Sequence, residues 1–201
     1  MIDPAQPWTR CRLVVADVEG NGTRPPGLVE LAIVAIVDGQ VGEPVTWLVK
    51  PQDPITWQAT KVHGITNEQV ADLQPLSAVE ADIRARLGQD VLVAHNAHVD
   101  LDVLTRHLPG WAPDGVIDTL KLSRRLHPQR PSHKLGALVD AYDLAAGLPQ
   151  SMSAHRADYD ALVTARLLLR LAEEGGLSTL GELTGAAASS PQASAQPEVL
   201  F

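Results

Sequence analysis

Arg12-Leu13-Val14-Val15-Ala16-Asp17-Val18-Glu19 decides the fold: a short apolar run that ends in two carboxylates. Four apolar residues, closed by the turn-forming cluster from Gly20 to Pro26, read as a buried strand. Side chains alternate across a strand, so Asp17 and Glu19 share one face while Val18 turns to the other. Two anions held side by side repel each other unless a cation sits between them. Taken alone, such a pair reads equally well as solvated turn carboxylates, so its meaning depends on what the rest of the chain brings to it.

Working outward, Leu28 to Val37 is a long apolar run rich in β-branched residues. Asp38-Gly39 is a tight hairpin turn, and Val41 to Val49 returns as a third strand. The texture then changes. A helix is expected from Ser77 to Leu87, with Ser77 as its cap and Glu80 three residues on, stopped by Gly88. Val91 to Ala94 is a short buried strand, Val99 to His107 a helix, Val116-Ile117 a brief strand, and Leu135 to Tyr142 a helix. In Ala157 to Glu174, the residues Ala161, Leu162, Ala165, Leu168, Leu169 and Ala172 recur at helical spacing as one apolar stripe. Strands first, then alternating helices and strands, predict an α/β fold. It has a mixed five-stranded sheet, three antiparallel strands first, flanked by helices. Residues 1–10 are expected to be an N-terminal extension, 11–185 the domain, and the Ala-, Ser-, Pro- and Gln-rich 186–201 a disordered tail.

The composition narrows the function classes. The 201 residues fit one domain. A net charge of −8 argues against coating nucleic acid through bulk positive charge, but not against an acidic site that holds divalent cations. One cysteine, Cys11, excludes an internal disulfide and a thiolate metal cage. With neither an apolar span of membrane length nor the apolar core of a signal peptide, a cytoplasmic protein with no membrane partner is expected.

Two further segments carry acids. In Ala94-His95-Asn96-Ala97-His98-Val99-Asp100, Asp100 falls in the first turn of a helix just beyond a strand, where helix-dipole stabilisation alone would suit it. In His155-Arg156-Ala157-Asp158-Tyr159-Asp160, residues five apart lie about 140° from each other on a helix. His155 and Asp160 therefore cannot share a helix face. The economical arrangement puts Asp160 on the helix, Asp158 toward solvent, and His155 on the segment leading in.

These three segments resemble, in order and spacing, the motifs of the DEDDh 3′→5′ exonuclease family, which includes ribonuclease T and the proofreading exonucleases of bacterial replicative polymerases. Val62-His63-Gly64-Ile65-Thr66, Ile117-Asp118-Thr119-Leu120 and His133-Lys134-Leu135 resemble its supporting segments. The resemblance covers roughly Leu13 to Leu171. It implies a ribonuclease H-like fold and removal of nucleotides from the 3′ ends of DNA or RNA. It also implies a two-metal site in which Asp17, Glu19, Asp100 and Asp160 bind two Mg²⁺ or Mn²⁺ ions, with Asp17 bridging and His155 as general base. An oxygen-only donor set suits those hard cations, one to activate water and one to stabilise the leaving oxygen. Substrate contacts are expected from Val18, Gln58, His63 and Ile65, the last as a wedge beside the terminal base. Asn96 is expected first as a helix cap and then as a substrate contact.

Two positions depart from the family pattern. Gly20-Asn21-Gly22 follows the first acids where the family has Thr-Thr/Ser-Gly, and Val99 replaces a usual Phe. Both touch the place where the terminal sugar and base would rest, and so bear on substrate preference. The basic stretch Lys121, Arg124, Arg125, Arg130 and Lys134 reads as a phosphate-tracking edge or a solvated face. Few aromatics predict little serial base stacking. The expected partner is a single-stranded or frayed 3′ end. The closing Gln196-Pro197-Glu198-Val199-Leu200-Phe201 resembles a sliding-clamp docking peptide and also part of a cleavage tag. Two alternatives accompany this reading. One is a phosphodiesterase of very short oligonucleotides, and the other a catalytically silent nucleic-acid-binding module associated with a polymerase, which intact carboxylates and His155 oppose.

Overall fold

The computed structural model describes residues 3–185. After a 3₁₀ turn at Trp8–Arg10 come β1 (Leu13–Gly20), β2 (Leu28–Val37), β3 (Gln40–Val41) and β4 (Val45–Leu48). Helices α1 (Trp57–His63), α2 (Asn67–Val70) and α3 (Leu76–Leu87) follow, then β5 (Val91–Ala94), α4 (His98–His107) and β6 (Gly115–Asp118). The chain continues with α5 (Thr119–Leu126), α6 (Leu135–Tyr142), α7 (Ala157–Gly175) and α8 (Leu180–Thr184). The sheet runs β3-β2-β1-β5-β6, with β4 also paired to β2. β1 and β2 are antiparallel, and β1, β5 and β6 are parallel. A mixed sheet flanked by helices is the expected architecture.

The sheet has six strands where five were expected, because the segment Val41 to Val49 is broken. The Asp38-Gly39 turn forms with both residues in the left-handed region, φ 52° and 72°. The returning strand then ends after two residues at Gly42-Glu43-Pro44, where proline has no N–H for the ladder. Pairing resumes lower on β2 as β4, from Ile33↔Val45 to Glu30↔Leu48.

Strand alternation sorts the core into two layers. Leu13 and Val15 of β1, with Ala32, Val34 and Ile36 of β2, pack under α7. Val14, Ala16 and Ile33 face the other way, onto Ile83 and Leu87 of α3 and Val103 and Leu104 of α4. Helix α7 is buried beyond its expected stripe. Val163, Leu167 and Leu171 are also covered, because α5 and α6 pack against α7 while it lies on β1 and β2.

Several local expectations shift. Helix α3 begins at Leu76 after Pro75, with no side-chain cap, so Ser77 lies inside the helix. Helices α1, α2, α5 and α8 appear where none was placed. Two of them carry capping boxes, Thr66 with Gln69 and Thr179 with Glu182. The N-terminal residues are tied to the end of the domain: Trp8 is 9% exposed, its amide donates to the Ser178 carbonyl at 3.1 Å, and Pro7 bridges Thr179. Residues 186–201, with the Gln196–Phe201 peptide, lie outside the described residues. Among the described residues, no helix is long and apolar enough to cross a membrane.

Candidate active site

Alternation along β1 carries the side chains of Leu13 and Val15 under α7, and it places Asp17 and Glu19 on that same face at the strand's end. Asp160, in the first turn of α7, meets them there. One carboxylate oxygen from each of Asp17, Glu19 and Asp160 lies within 4.8 Å of the others. Asp100 reaches the same strand end from the opposite layer. It stands in the first turn of α4, is 6% exposed, and accepts the Val18 amide at 3.1 Å.

All four acids are harder to ionise than a free carboxylate. Burial is the leading cause for each, and mutual repulsion follows for the β1 pair. Asp17 is raised well above its ordinary value by burial and then by Asp100, Asp160 and Glu19. Glu19 is pushed up to about 8, Asp100 to about 7 and Asp160 to about 6. Like-charged oxygens this close need protons or a cation between them. The donor set contains carboxylate oxygen only, so it fits hard divalent cations such as Mg²⁺ and Mn²⁺.

His155 stands two residues before α7, exposed, with φ 63°. Its backbone amide donates to Asp160 Oδ2 at 3.2 Å, while its ring makes no hydrogen bond among the described residues. The sequence argument for separating His155 from the helix that bears Asp160 matches this geometry. Asp158 is partly buried.

The expected substrate residues are placed unevenly. Gln58 is exposed on α1. His63 is 5% exposed with both ring nitrogens engaged: Nε2–H donates to the Gly20 carbonyl at 3.3 Å, and Nδ1 accepts the Ile65 amide at 3.0 Å. Burial lowers its pKa, as suits a neutral ring that pins the chain just beyond Glu19. Ile65 is 2% exposed and packs with Val29, Ile55 and Val70, so it is not open as a wedge in this conformation. Val18 is half-buried on the α3/α4 side of β1. Asn96 does not cap α4, whose first turn has no side-chain cap. It adopts φ 73° and its amide donates to Asp118 Oδ1.

Three residues with structural work at the site were missed. Glu30, directly across from Glu19 on β2, is 1% exposed. Its carboxylate accepts Nε and Nη2 of Arg156 and the Ala157 amide, the last at 3.0 Å, and so anchors the start of α7. A lone acid in the apolar run Leu28 to Val37 was the available signal, since a buried charge needs a partner. Asn21, fully buried, closes the loop after Glu19: its side-chain oxygen accepts the Thr23 and Gly27 amides, and its nitrogen donates to the Asp53 carbonyl. The Gly-Asn-Gly departure is thus a loop of its own design. Asp118 caps α5 and holds the β5–α4 turn through Asn96.

The basic stretch divides. Arg125 bonds the Glu182 carbonyl, Arg130 bonds Tyr142, and Lys121 lies 3.9 Å from Asp118. Arg124 and Lys134 have no ion pair among the described residues. With His133, they line a cavity of about 560 Å³ whose inner wall is His95 and Asn96. His95 is held by Thr119 and the His133 carbonyl, and burial lowers its pKa.

Comparison with known proteins agrees with this geometry. The sequence profile of the RNase T exonuclease family matches residues 14–168. Exodeoxyribonuclease 10 of Escherichia coli K12 is 36% identical over 176 residues, covering 86% of this chain and 75% of that protein. The PolC-type DNA polymerase III of Halalkalibacterium halodurans is 32% identical over 174 residues, 84% of this chain but 12% of the polymerase. Among solved structures, Exonuclease X in complex with 5′ overhanging duplex DNA superposes with a TM-score of 0.72 at 34% identity, covering 86% of this chain and 98% of that one.

Proposed function

Because the chain belongs to the RNase T exonuclease family and is a 3′→5′ exonuclease, we propose that it shortens single-stranded or frayed 3′ ends of DNA at the acidic end of β1. The observation that carries this is the convergence of Asp17, Glu19 and Asp160 on one strand end, with Asp100 joined to it through the Val18 amide. DNA is favoured over RNA by the substrates named for Exodeoxyribonuclease 10 and Exonuclease X.

Asp17, Glu19, Asp100 and Asp160 would hold two Mg²⁺ or Mn²⁺ ions, which would supply activation of water and stabilisation of the leaving 3′ oxygen. The rest falls to the chain's own residues. An imidazole nitrogen of His155 removes the proton from the attacking water, and its place off the helix lets the ring swing to that water. Glu30 and Arg156 fix the N-terminus of α7, and so the position of Asp160 relative to β1. Arg124 and Lys134 take phosphates of the retained strand along the cavity beside Asn96.

The test is a 5′-labelled single-stranded DNA incubated with Mg²⁺, Mn²⁺ or chelator, beside RNA of the same sequence and an Asp17→Ala control. A ladder shortening from the 3′ end, absent with chelator and in the variant, supports the reading. Cleavage that survives Asp17→Ala removes it.

A further inference from the structure

The four tryptophans are not equivalent. Trp8, Trp47 and Trp111 are each 8–9% exposed, and each indole N–H has an acceptor: the Leu177 carbonyl, Asp82 and the Gly88 carbonyl. Trp57 is 62% exposed, and its N–H has no partner among the described residues. Over its ring, 4.4 Å from the centroid, sits the ammonium of Lys61, one helical turn on. Lys61 has no carboxylate partner among the described residues. Helix α1 turns Ala59 and His63 inward and leaves Trp57, Gln58 and Lys61 outside.

The position of this pair is fixed by the loop that leaves the acidic site. The Thr56 amide donates to the Asn21 carbonyl at 2.9 Å, and His63 holds Gly20 from the other end of the helix. Gly22 is packed so closely that an added Cβ would lie 2.2 Å from Thr56 Oγ1. Summing the chain steps and that hydrogen bond, the Cα atoms of Trp57 and Glu19 are separated by no more than roughly 18 Å. A strand whose 3′ end lies on the carboxylates therefore has this indole within a few nucleotides' reach. An exposed indole with a free ammonium on its ring offers the two things a single strand presents in alternation: a π-face for a base and a positive charge for the next phosphate.

We propose that Trp57 and Lys61 form a subsite for single-stranded nucleic acid, in which the indole stacks on a base upstream of the terminal nucleotide and the ammonium meets an adjacent phosphate. The proposal rests on the exonuclease reading for the direction of the strand, and it revises the expectation that stacking plays little part. The subsite adds affinity for substrates long enough to span it and nothing to the chemical step.

The experiment uses the full chain and two readouts. With oligo-dT in chelator, where no turnover is needed, binding should quench tryptophan emission. The quench should vanish in Trp57→Phe, whose remaining indoles are buried, although that variant still binds. Under turnover, Trp57→Ala should raise KM for a long oligonucleotide roughly 5- to 160-fold, the range that loss of one base–aromatic stack gives, and Trp57→Phe should restore most of it. The kcat, and the turnover of a dinucleotide too short to reach α1, should not change. Lys61→Ala should lower the salt dependence of log Kd by about 0.7, one phosphate's share on a single strand. An unchanged KM in Trp57→Ala, or an equal loss on the dinucleotide, overturns the subsite. Should the wild type bind oligo-dT through Trp57 yet cut nothing with either metal, the subsite stands and the exonuclease reading fails.

Discussion

Glu19 and Glu30 face each other across β1 and β2, point under the same helix, and have opposite fates. Glu30 is closed off by a bidentate Arg156 and a backbone amide. Glu19 shares its space with Asp17 and Asp160, and burial, followed by repulsion from Asp160, Glu30 and Asp100, raises it to about 8. One carboxylate carries a cation built into the chain, and its neighbour is left for a cation from outside. The lesson is that burial of acid is not itself the signature of a site: the signature is buried acid whose counter-charge the chain does not supply.

The largest effect that would sharpen this contrast is on turnover. Asp17→Asn keeps the shape of the cluster but removes one of its buried charges, and 3′-end shortening of a labelled strand should fall to background. Neutralising the base comes next. His155→Gln should lower kcat by roughly 100- to 10,000-fold, as loss of a general base does, without lowering the melting temperature, because the ring is exposed and unbonded. A kcat within threefold of wild type would remove His155 from the chemistry.

Glu30→Leu addresses the other side of the comparison. It strands the Arg156 guanidinium and the Ala157 amide, and should cost about 3 kcal/mol, the low end for breaking a buried pair because Arg156 is partly exposed. The melting temperature should then drop by roughly 6–12 °C. A drop under 2 °C would mean that the pair does not anchor α7.

The remaining effect is a pH slope. Asp160, Asp100 and Glu19 have folded-state values of about 6, 7 and 8, above the roughly 4 of an unfolded carboxylate. Groups raised in this way favour the fold while protonated. Their contribution is complete below about pH 4 and is lost as pH rises through about 6 to 8. In chelator, the melting temperature should decline steadily as pH rises from 5.5 to 8.5. Added Mn²⁺ should reverse the decline most strongly at the alkaline end, where the ligands are free of protons. Asp17→Asn should flatten the slope, and a slope that survives in that variant has another origin.

Much of this was legible in the sequence. Alternation placed Asp17 and Glu19 on one face, and the helical period separated Asp160 from His155, because both rest on fixed backbone geometry. The strand Val91–Ala94 and the helix Leu135–Tyr142 fall where expected. What escaped depends on contacts across the sheet. Glu30 reads as a blemish in an apolar run until Arg156, distant in sequence, is folded against it. Ile65 sits in a motif that implied an exposed wedge, yet Ile55 and Val70 cover it. The six-strand count turned on Gly42-Glu43-Pro44, a local break inside a run that otherwise reads as one strand. Trp57 could not be told from the three buried tryptophans, since exposure is a property of the packed helix.

The most direct test of the central claim is a calorimetric titration of Mn²⁺ into the chelator-treated protein at pH 7.5, wild type beside Asp17→Asn. Saturable binding of two ions per chain, reduced to at most one in the variant and accompanied by release of protons, is the result expected of buried carboxylates without a counter-charge of their own. Binding that is absent from the wild type, or equal in both proteins, would contradict it.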